Sequence, residues 1–472
     1  MMINSPTLTY ILILLLSLTM HSVSAASDSL NNDEERPMFV LNISTVDEVE
    51  PTCDYVFPPE GAFGISITNA VKVPGRAVIT VGTDTLFDTG TYEKGTSGMT
   101  IKIRGNTSAY YYEKKPFKIK LQKKADMLVR GDSRYADKDW ALICDGDNTF
   151  NTMIGLKVAQ LMDLGWVPAY HYVHLFMNGN YRGIYMLIET VERNADCRID
   201  VDKNTGYIIE RDAYWWNEDI FFRTPMKKEY TFKYPDSDDL KPEQLTYIQS
   251  AVEAMEESIS NGTYRNTIDV KSFARWLLAH EILGTRDSGG ANIYLKKADN
   301  TAATKFTMCT LWDFGSIMKM DNDWAGVHND FFYFTELFSD PDSYFTWQFK
   351  KLWTTEALRV FDAIEQYLYQ FKQSNLAYYL NTARKYDQMR WNYTYDNTVE
   401  NDIDQAIAWF KNRKTWLQQA MDTLTVSTGI NNMPQTETYT NCTYDLQGRQ
   451  VHSRQKMQRG LYIRDGKKMV NP

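Results

Sequence analysis

Three polar residues stand at a spacing that can do chemistry together. Asp287 follows Arg286, Asn292 lies five residues beyond it, and Asp313 opens the segment Asp313-Phe314-Gly315. An amide oxygen and a carboxylate are hard ligands of the kind Mg²⁺ takes, often shared with phosphate oxygens. A second carboxylate beside such an ion can point at an attacking hydroxyl. The chemistry these types suggest is metal-assisted phosphoryl transfer. Read singly, each Asp serves equally well as a loop cap or a turn residue.

The elements that must position them can be read outward from this point. Ile293–Leu295 and Phe306–Leu311 read as two strands, with the polar stretch 296–304 as a hairpin tip. That hairpin brings its two ends, Asn292 and Asp313, toward one metal, and Asp287 immediately precedes it. Helical periodicity surrounds the hairpin at Leu245–Ser260, Val270–Leu283, Phe345–Leu368 and Asp402–Leu424. The preceding half is β-rich, with runs at 39–43, 76–81 and 99–104 and a strictly alternating segment Phe117–Leu121. A helix is expected from Thr152, capped by Gly165, and Asn178-Gly179 predicts the turn of a hairpin over 171–188. Strands followed by helices make an α+β protein of two lobes, a β-rich one over 37–240 and a helical one over 241–430, with ligands expected where they meet.

Composition narrows the partners. The chain has 51 Lys and Arg against 60 Asp and Glu, a net charge of −9, which argues against nucleic acid as a ligand because phosphate neutralisation needs clustered excess cation. Aromatic residues make up 14% of the chain, too many to stay solvated, so a disordered scaffold is excluded. No Gly-x-Ser-x-Gly or His-Glu-x-x-His segment is present to suggest a hydrolase.

Both ends read as addresses. The apolar run Tyr10–Met20, followed by Val23-Ser24-Ala25, has signal-peptide order, with cleavage expected near Ala25 and a polar leader over 26–36. The run is too short for the ~20 residues of a membrane span, and no later stretch is apolar enough for one. At the other end, apolar alternation and Gly448, Gly460 and Gly466 describe short strands over 435–472. This tail resembles the C-terminal sorting domain of type IX secretion in its Tyr444-Asp-Leu-x-Gly-Arg449 and Gly460-x-Tyr-Ile-x-x-Gly-Lys-Lys468 elements. The resemblance implies a protein exported through the periplasm to the cell surface or medium, with the tail read by export machinery.

The order Arg-Asp, Asn five residues on, hairpin, Asp-Phe-Gly is that of protein kinases. Further segments sharpen it: Arg104-Gly105-Asn106-Thr107-Ser108, then Lys114-Lys115-Pro116-Phe117-Lys118-Ile119-Lys120, Trp140, Asn178-Gly179-Asn180-Tyr181-Arg182-Gly183-Ile184-Tyr185 with Glu189, and Gly206-Tyr207-Ile208-Ile209-Glu210. With these the chain resembles the CotH kinase family from about Pro37 to Gly315. The resemblance implies a two-lobed atypical kinase-like fold that binds ATP with Mg²⁺ or Mn²⁺ and transfers phosphate to a hydroxyl, of a protein Ser or Thr or of a small molecule. It implies Asp287 as the catalytic residue and Asn292 and Asp313 as metal ligands. It implies a phosphate-holding lysine in the Lys115–Lys120 strand, with Lys118 preferred and Lys115 and Lys120 open, Arg104 and Asn106 at the phosphate end, and Glu189 and Glu210 near the nucleotide. The alternative is a kinase-like surface, assembly or glycan-binding protein without turnover. Two departures stand out: no Gly-x-Gly-x-x-Gly loop is present, and Phe314 follows Asp313 where the family often carries a second acid.

Overall fold

The computed structural model describes residues 37–471 apart from 63, 145–149, 289–290, 330–332, 340–342, 393–394, 425–442, 446–449, 452–459 and 465–466. The expected signal peptide and leader lie outside the described residues. The chain divides into two compact units at Leu424.

Ten strands precede residue 190: β1 (Phe39–Thr45), β2 (Asp54–Val56), β3 (Ser66–Thr68), β4 (Val73–Val81), β5 (Asp84–Asp88), β6 (Met99–Ile103), β7 (Phe117–Ala125), β8 (Asp137–Ile143), β9 (Tyr170–Met177) and β10 (Asn180–Glu189). Eight of them form one sheet in the order β1-β9-β10-β8-β7-β6-β4-β5, while β2 and β3 pair separately, and β1 pairs a second time with β4, so the larger sheet closes into a barrel. The closing strand runs parallel to β9, with Phe39 opposite Val173, and antiparallel to β4, with Leu41 opposite Ile79. Alternation sends Leu41, Ile79, Ile101, Ile119, Leu142 and Leu175 into the interior. It sends Lys102 and Lys118, direct partners across β6 and β7, to the outside. The expected β-rich lobe is therefore a closed barrel rather than an ordinary kinase sheet. Closure removes the two open edges that such apolar strands would otherwise leave to pair elsewhere.

A second sheet joins strands from both sides of residue 240. Its order is β12-β13-β11-β14-β15, from β11 (Tyr207–Arg211), β12 (Phe222–Arg223), β13 (Glu229–Tyr234), β14 (Ile293–Lys297) and β15 (Phe306–Met308). The catalytic-type hairpin β14–β15 thus pairs with a strand from the other half, Glu210 lying opposite Tyr294.

The helices are α1 (Asn151–Leu161), α2 (Pro242–Ser260), α3 (Val270–Leu283), α4 (Tyr344–Leu352), α5 (Leu358–Lys372), α6 (Asn375–Trp391) and α7 (Val399–Thr423). The expected helix over 345–368 is two helices joined by a π-helical turn at Trp353–Ala357. Helix α6 has no counterpart in the sequence reading, because its inward positions, Ala377, Leu380, Ala383, Arg384 and Asp387, mix small and charged types. Buried Asp387 fastens it to the barrel through Lys114, at 2.9 Å, and the Ile184 amide, at 2.9 Å. Gly183 permits the approach: its φ is +99° and a Cβ there would sit 1.8 Å from Asp387 Oδ1.

In the second unit, β16 (Thr443–Asp445), β17 (Gln450–Val451), β18 (Gly460–Arg464) and β19 (Lys467–Asn471) form an antiparallel sheet in the order β17-β16-β18-β19.

Candidate active site

Helix α3 begins on Asp269, whose side chain accepts from the Ser272 amide, and ends on Gly284 in the left-handed conformation. The chain then turns through Thr285–Ser288, and the backbone after Phe314 is laid alongside. Met318 N donates to Leu283 O at 2.7 Å and Arg286 N to Ser316 O at 3.1 Å. Asp287 N donates to Ser316 Oγ at 2.8 Å. A Cβ on Gly326 would lie 1.9 Å from Arg286 O, so only glycine allows the segment to close over the loop. Beneath lies buried Glu281, which meets His328 Nδ1 at 2.6 Å and Arg413 Nη2 at 3.1 Å. Arg413 Nη1 also binds the carbonyls of Met320 and Asp323, at 2.7 and 2.6 Å. The loop backbone is fixed from several sides, while the Asp287 carboxylate stays exposed.

The hairpin ends do converge. Asn292 Nδ2 donates to Asp313 Oδ2 at 3.4 Å, and both residues hold positive φ, 60° and 66°. A non-glycine residue in that region is strained, and a facing pair of them marks a place where backbone was set for side-chain direction. Glu210 steadies the first, its Oε1 accepting from Asn292 N at 3.2 Å while Oε2 pairs with Lys233 at 2.7 Å. Burial pushes the Glu210 carboxyl up to about 6, against the pull of Lys233. Phe314 is buried and lies on α1, where a Cβ on Gly155 would meet its ring at 1.9 Å. Enclosure, and then the Asp313 charge, raise the pKa of Asp287 above the ordinary carboxylate value. The two carboxylates therefore lie close enough to repel.

Arg104 completes the cleft from the barrel side. Its guanidinium stands 5.8 Å from the Trp312 ring centroid. Burial lowers its pKa, while Tyr294, Asp313 and Glu210 favour its charge. Among the described residues it has no ion pair within 4.0 Å.

Other expected residues lie elsewhere or are engaged. Lys118 is held by Asp139 at 2.8 Å. Lys115 donates to Ala109 O at 2.6 Å, under Tyr55, and so anchors a one-turn helix. Asn106 accepts from Ser66 Oγ at 2.8 Å and fixes the turn after Arg104. Glu189 braces Arg130 and the Ala169 amide, at 2.9 and 3.0 Å. Three positions were missed: Lys233, Lys102 and Gly155. A lone glycine in an apolar helix was the available signal for the last. The alternation of Lys102 between Ile101 and Ile103 was the signal for the second.

A separate acidic group, Asp137, Asp139 and Glu192, holds carboxylate oxygens within 4.8 Å of one another. Its own donors already occupy it: the cations Lys118 on Asp139 and Arg198 on Glu192, the latter at 2.6 Å, and the neutral amide of Asn194, whose Nδ2 donates to Asp137 at 2.7 Å. A cavity of about 290 Å³ is lined by Glu192, Arg193, Lys233, Tyr234, Lys241 and Gln244 among others.

Fold and cleft together define an α+β protein whose barrel and second sheet bring oxygen ligands and cations to the ends of one hairpin. The chain belongs to the CotH kinase protein family, whose pattern matches residues 101–417. That span contains Arg104, Asp287, Asn292 and Asp313. No curated protein matches the chain. Among the described residues no helix is long and apolar enough to cross a membrane.

Proposed function

We propose that the protein is an exported, two-lobed atypical kinase that transfers the γ-phosphate of ATP to a hydroxyl, foremost that of a protein Ser or Thr. The observation that carries this reading is the convergence of Asn292 and Asp313, 3.4 Å apart, beside the exposed Asp287. The donor set fits Mg²⁺ or Mn²⁺, since an Asp oxygen and the Asn292 amide oxygen are both hard ligands. When bound, the metal supplies charge neutralisation for the transferring phosphoryl group. Asp287 orients the acceptor hydroxyl and takes its proton; its raised pKa brings it nearer to that task at neutral pH. Arg104, with no ion pair within 4.0 Å among the described residues, would offer its charge to the phosphoryl group. Glu210 positions Asn292 rather than touching nucleotide. The apolar run 10–20 and the tail after 434 support export to the cell surface or medium, the tail serving as a type IX sorting domain.

The test is transfer of labelled phosphate from ATP with Mg²⁺ or Mn²⁺, mapped by mass spectrometry. Asp287→Ala should keep nucleotide binding and lose at least ~10³-fold in transfer rate. Equal transfer by both proteins would sink the assignment.

A second reading has one observation in its favour. Phe57, Tyr111 and Tyr112 stand 62%, 67% and 54% exposed near the Arg104 turn, an aromatic surface suited to a glycan or a partner protein. Binding there without any phosphate transfer by the wild type would favour a kinase-like binding protein.

A further inference from the structure

Three lysines form a row across the outer face of the barrel. Lys102 on β6 is the direct partner of Lys118 on β7. Lys72 extends the row on the other side, since its neighbour Val73 pairs with Ile101. Side chains at such positions lie about 5 Å apart at Cβ, and like charges directly opposite are destabilising. Two of the three have a remedy or need none: Lys118 has Asp139 at 2.8 Å, and Lys72 is exposed. Lys102 has neither. It is partly buried, and among the described residues no carboxylate comes within 4.0 Å of it. Burial, Lys118 and Lys72 all work against its charge, and only the more distant Glu218 and Asp139 favour it.

The place of Lys102 explains what would favour it. Arg104 follows two residues later, just past the end of β6, and the Asp313 charge favours its cation. Glu218 is a charge neighbour of both Lys102 and Lys233, and Lys233 lines the cavity of about 290 Å³. Through Glu218, Lys102 is thus an electrostatic neighbour of a lysine that lines that cavity.

We infer that Lys102, rather than the carboxylate-bound Lys118, is the lysine that holds the phosphate chain of the nucleotide, with Arg104 at its terminal end. This rests on the phosphotransfer reading for the identity of the ligand, though not for the presence of an anion site. A phosphate chain supplies negative oxygens to Lys102, which is half-buried beside two other lysines with no carboxylate within 4.0 Å among the described residues. The chemistry recognised is the phosphate chain, whether it belongs to a nucleotide or to an inorganic polyphosphate.

The experiment uses the full chain and two probes, sodium tripolyphosphate without divalent metal and ATP with Mg²⁺. Wild type, Lys102→Gln, Lys102→Arg and Lys118→Gln are compared by thermal unfolding and by calorimetric titration. Lys102→Gln should melt no lower than the wild type when unliganded, because a like-charge contact is gone. It should lose the rise in melting temperature given by tripolyphosphate and bind ATP ~10-fold or more weakly, while Lys118→Gln weakens ATP at most ~3-fold. Lys102→Arg should retain both responses, which separates loss of the cation from damage to the barrel. If Lys102→Gln keeps the tripolyphosphate response and its ATP affinity, the inference is overturned while the kinase reading stands. If tripolyphosphate binds through Lys102 but ATP binds with neither metal, the anion site stands and the kinase reading falls.

Discussion

Two acidic groups lie in this molecule, and they differ in who neutralises them. Asp137, Asp139 and Glu192 cluster tightly enough to suggest a cation site, yet Lys118 pairs with Asp139, Arg198 pairs with Glu192 and the Asn194 amide donates to Asp137. Asp287 and Asp313 have no lysine or arginine within 4.0 Å among the described residues, and they are held on strained or clamped backbone. The first group is a brace between β8 and the segment after β10. The second is the candidate site, because among the described residues no basic side chain lies within 4.0 Å to balance its charges. Proximity of carboxylates is thus a poor guide to metal binding, and the account of their counter-ions is a better one.

The comparison breaks first, and hardest, on metal affinity. Mn²⁺ binding in the presence of ATP, followed by its paramagnetic signal, should fall ~100-fold or more in Asp313→Ala and stay within about threefold in Asp139→Asn. The reverse order would make the braced cluster the metal site. Asp139→Asn should instead lower stability by about 1 kcal/mol, discounted because Lys118 is 38% exposed.

A smaller effect tests why the second group stays open. Phe314 rests on the backbone of Gly155, and any side chain there meets its ring. Gly155→Val should cost about 1–3 kcal/mol by overpacking, read from the denaturant midpoint. It should also weaken Mn²⁺, since Asp313 is the residue before Phe314. Loss of stability with unchanged metal affinity would show that Phe314 does not set the direction of Asp313.

These contrasts also mark what could be read without a structure. The Asn178-Gly179 hairpin was legible because a two-residue turn is a local code; the structure gives both residues positive φ. The approach of Asn292 to Asp313 was legible because the two lie at opposite ends of one hairpin. The barrel was not, because its closing strand pairs with partners far along the chain, Leu41 with Leu175 for instance, and non-local register leaves no trace in local alternation. Lys118 was assigned to the correct face but not to its counter-ion. The alternation at Asp137 and Asp139 shows which way those acids point, whereas the contact of Asp139 with Lys118 depends on β7 lying next to β8. Glu189 had the right type and the wrong neighbours, because Arg130 comes from a loop whose path no periodicity describes.

The smallest effect concerns the braced cluster alone. Glu192 is raised from 4.5 to about 7, by burial first and by Asp139 next, with Arg198, the Thr190 hydroxyl and Lys118 opposing. Between those two values the folded protein holds a proton that the unfolded chain has released. Stability from this group therefore falls as pH rises from 4.5 to 7, and stays low above 7. With a side chain 25% exposed, the span is on the order of 2 kcal/mol rather than the full shift. Glu192→Gln removes the titration while keeping a group that accepts from Thr190 and Arg198. Its stability relative to the wild type should rise between pH 5 and pH 8 by about that amount, measured by urea unfolding at each pH. Parallel curves for the two proteins would mean that Arg198 keeps Glu192 ionised throughout. The braced cluster would then be a fully paired network, still further from the open chemistry at Asp287 and Asp313.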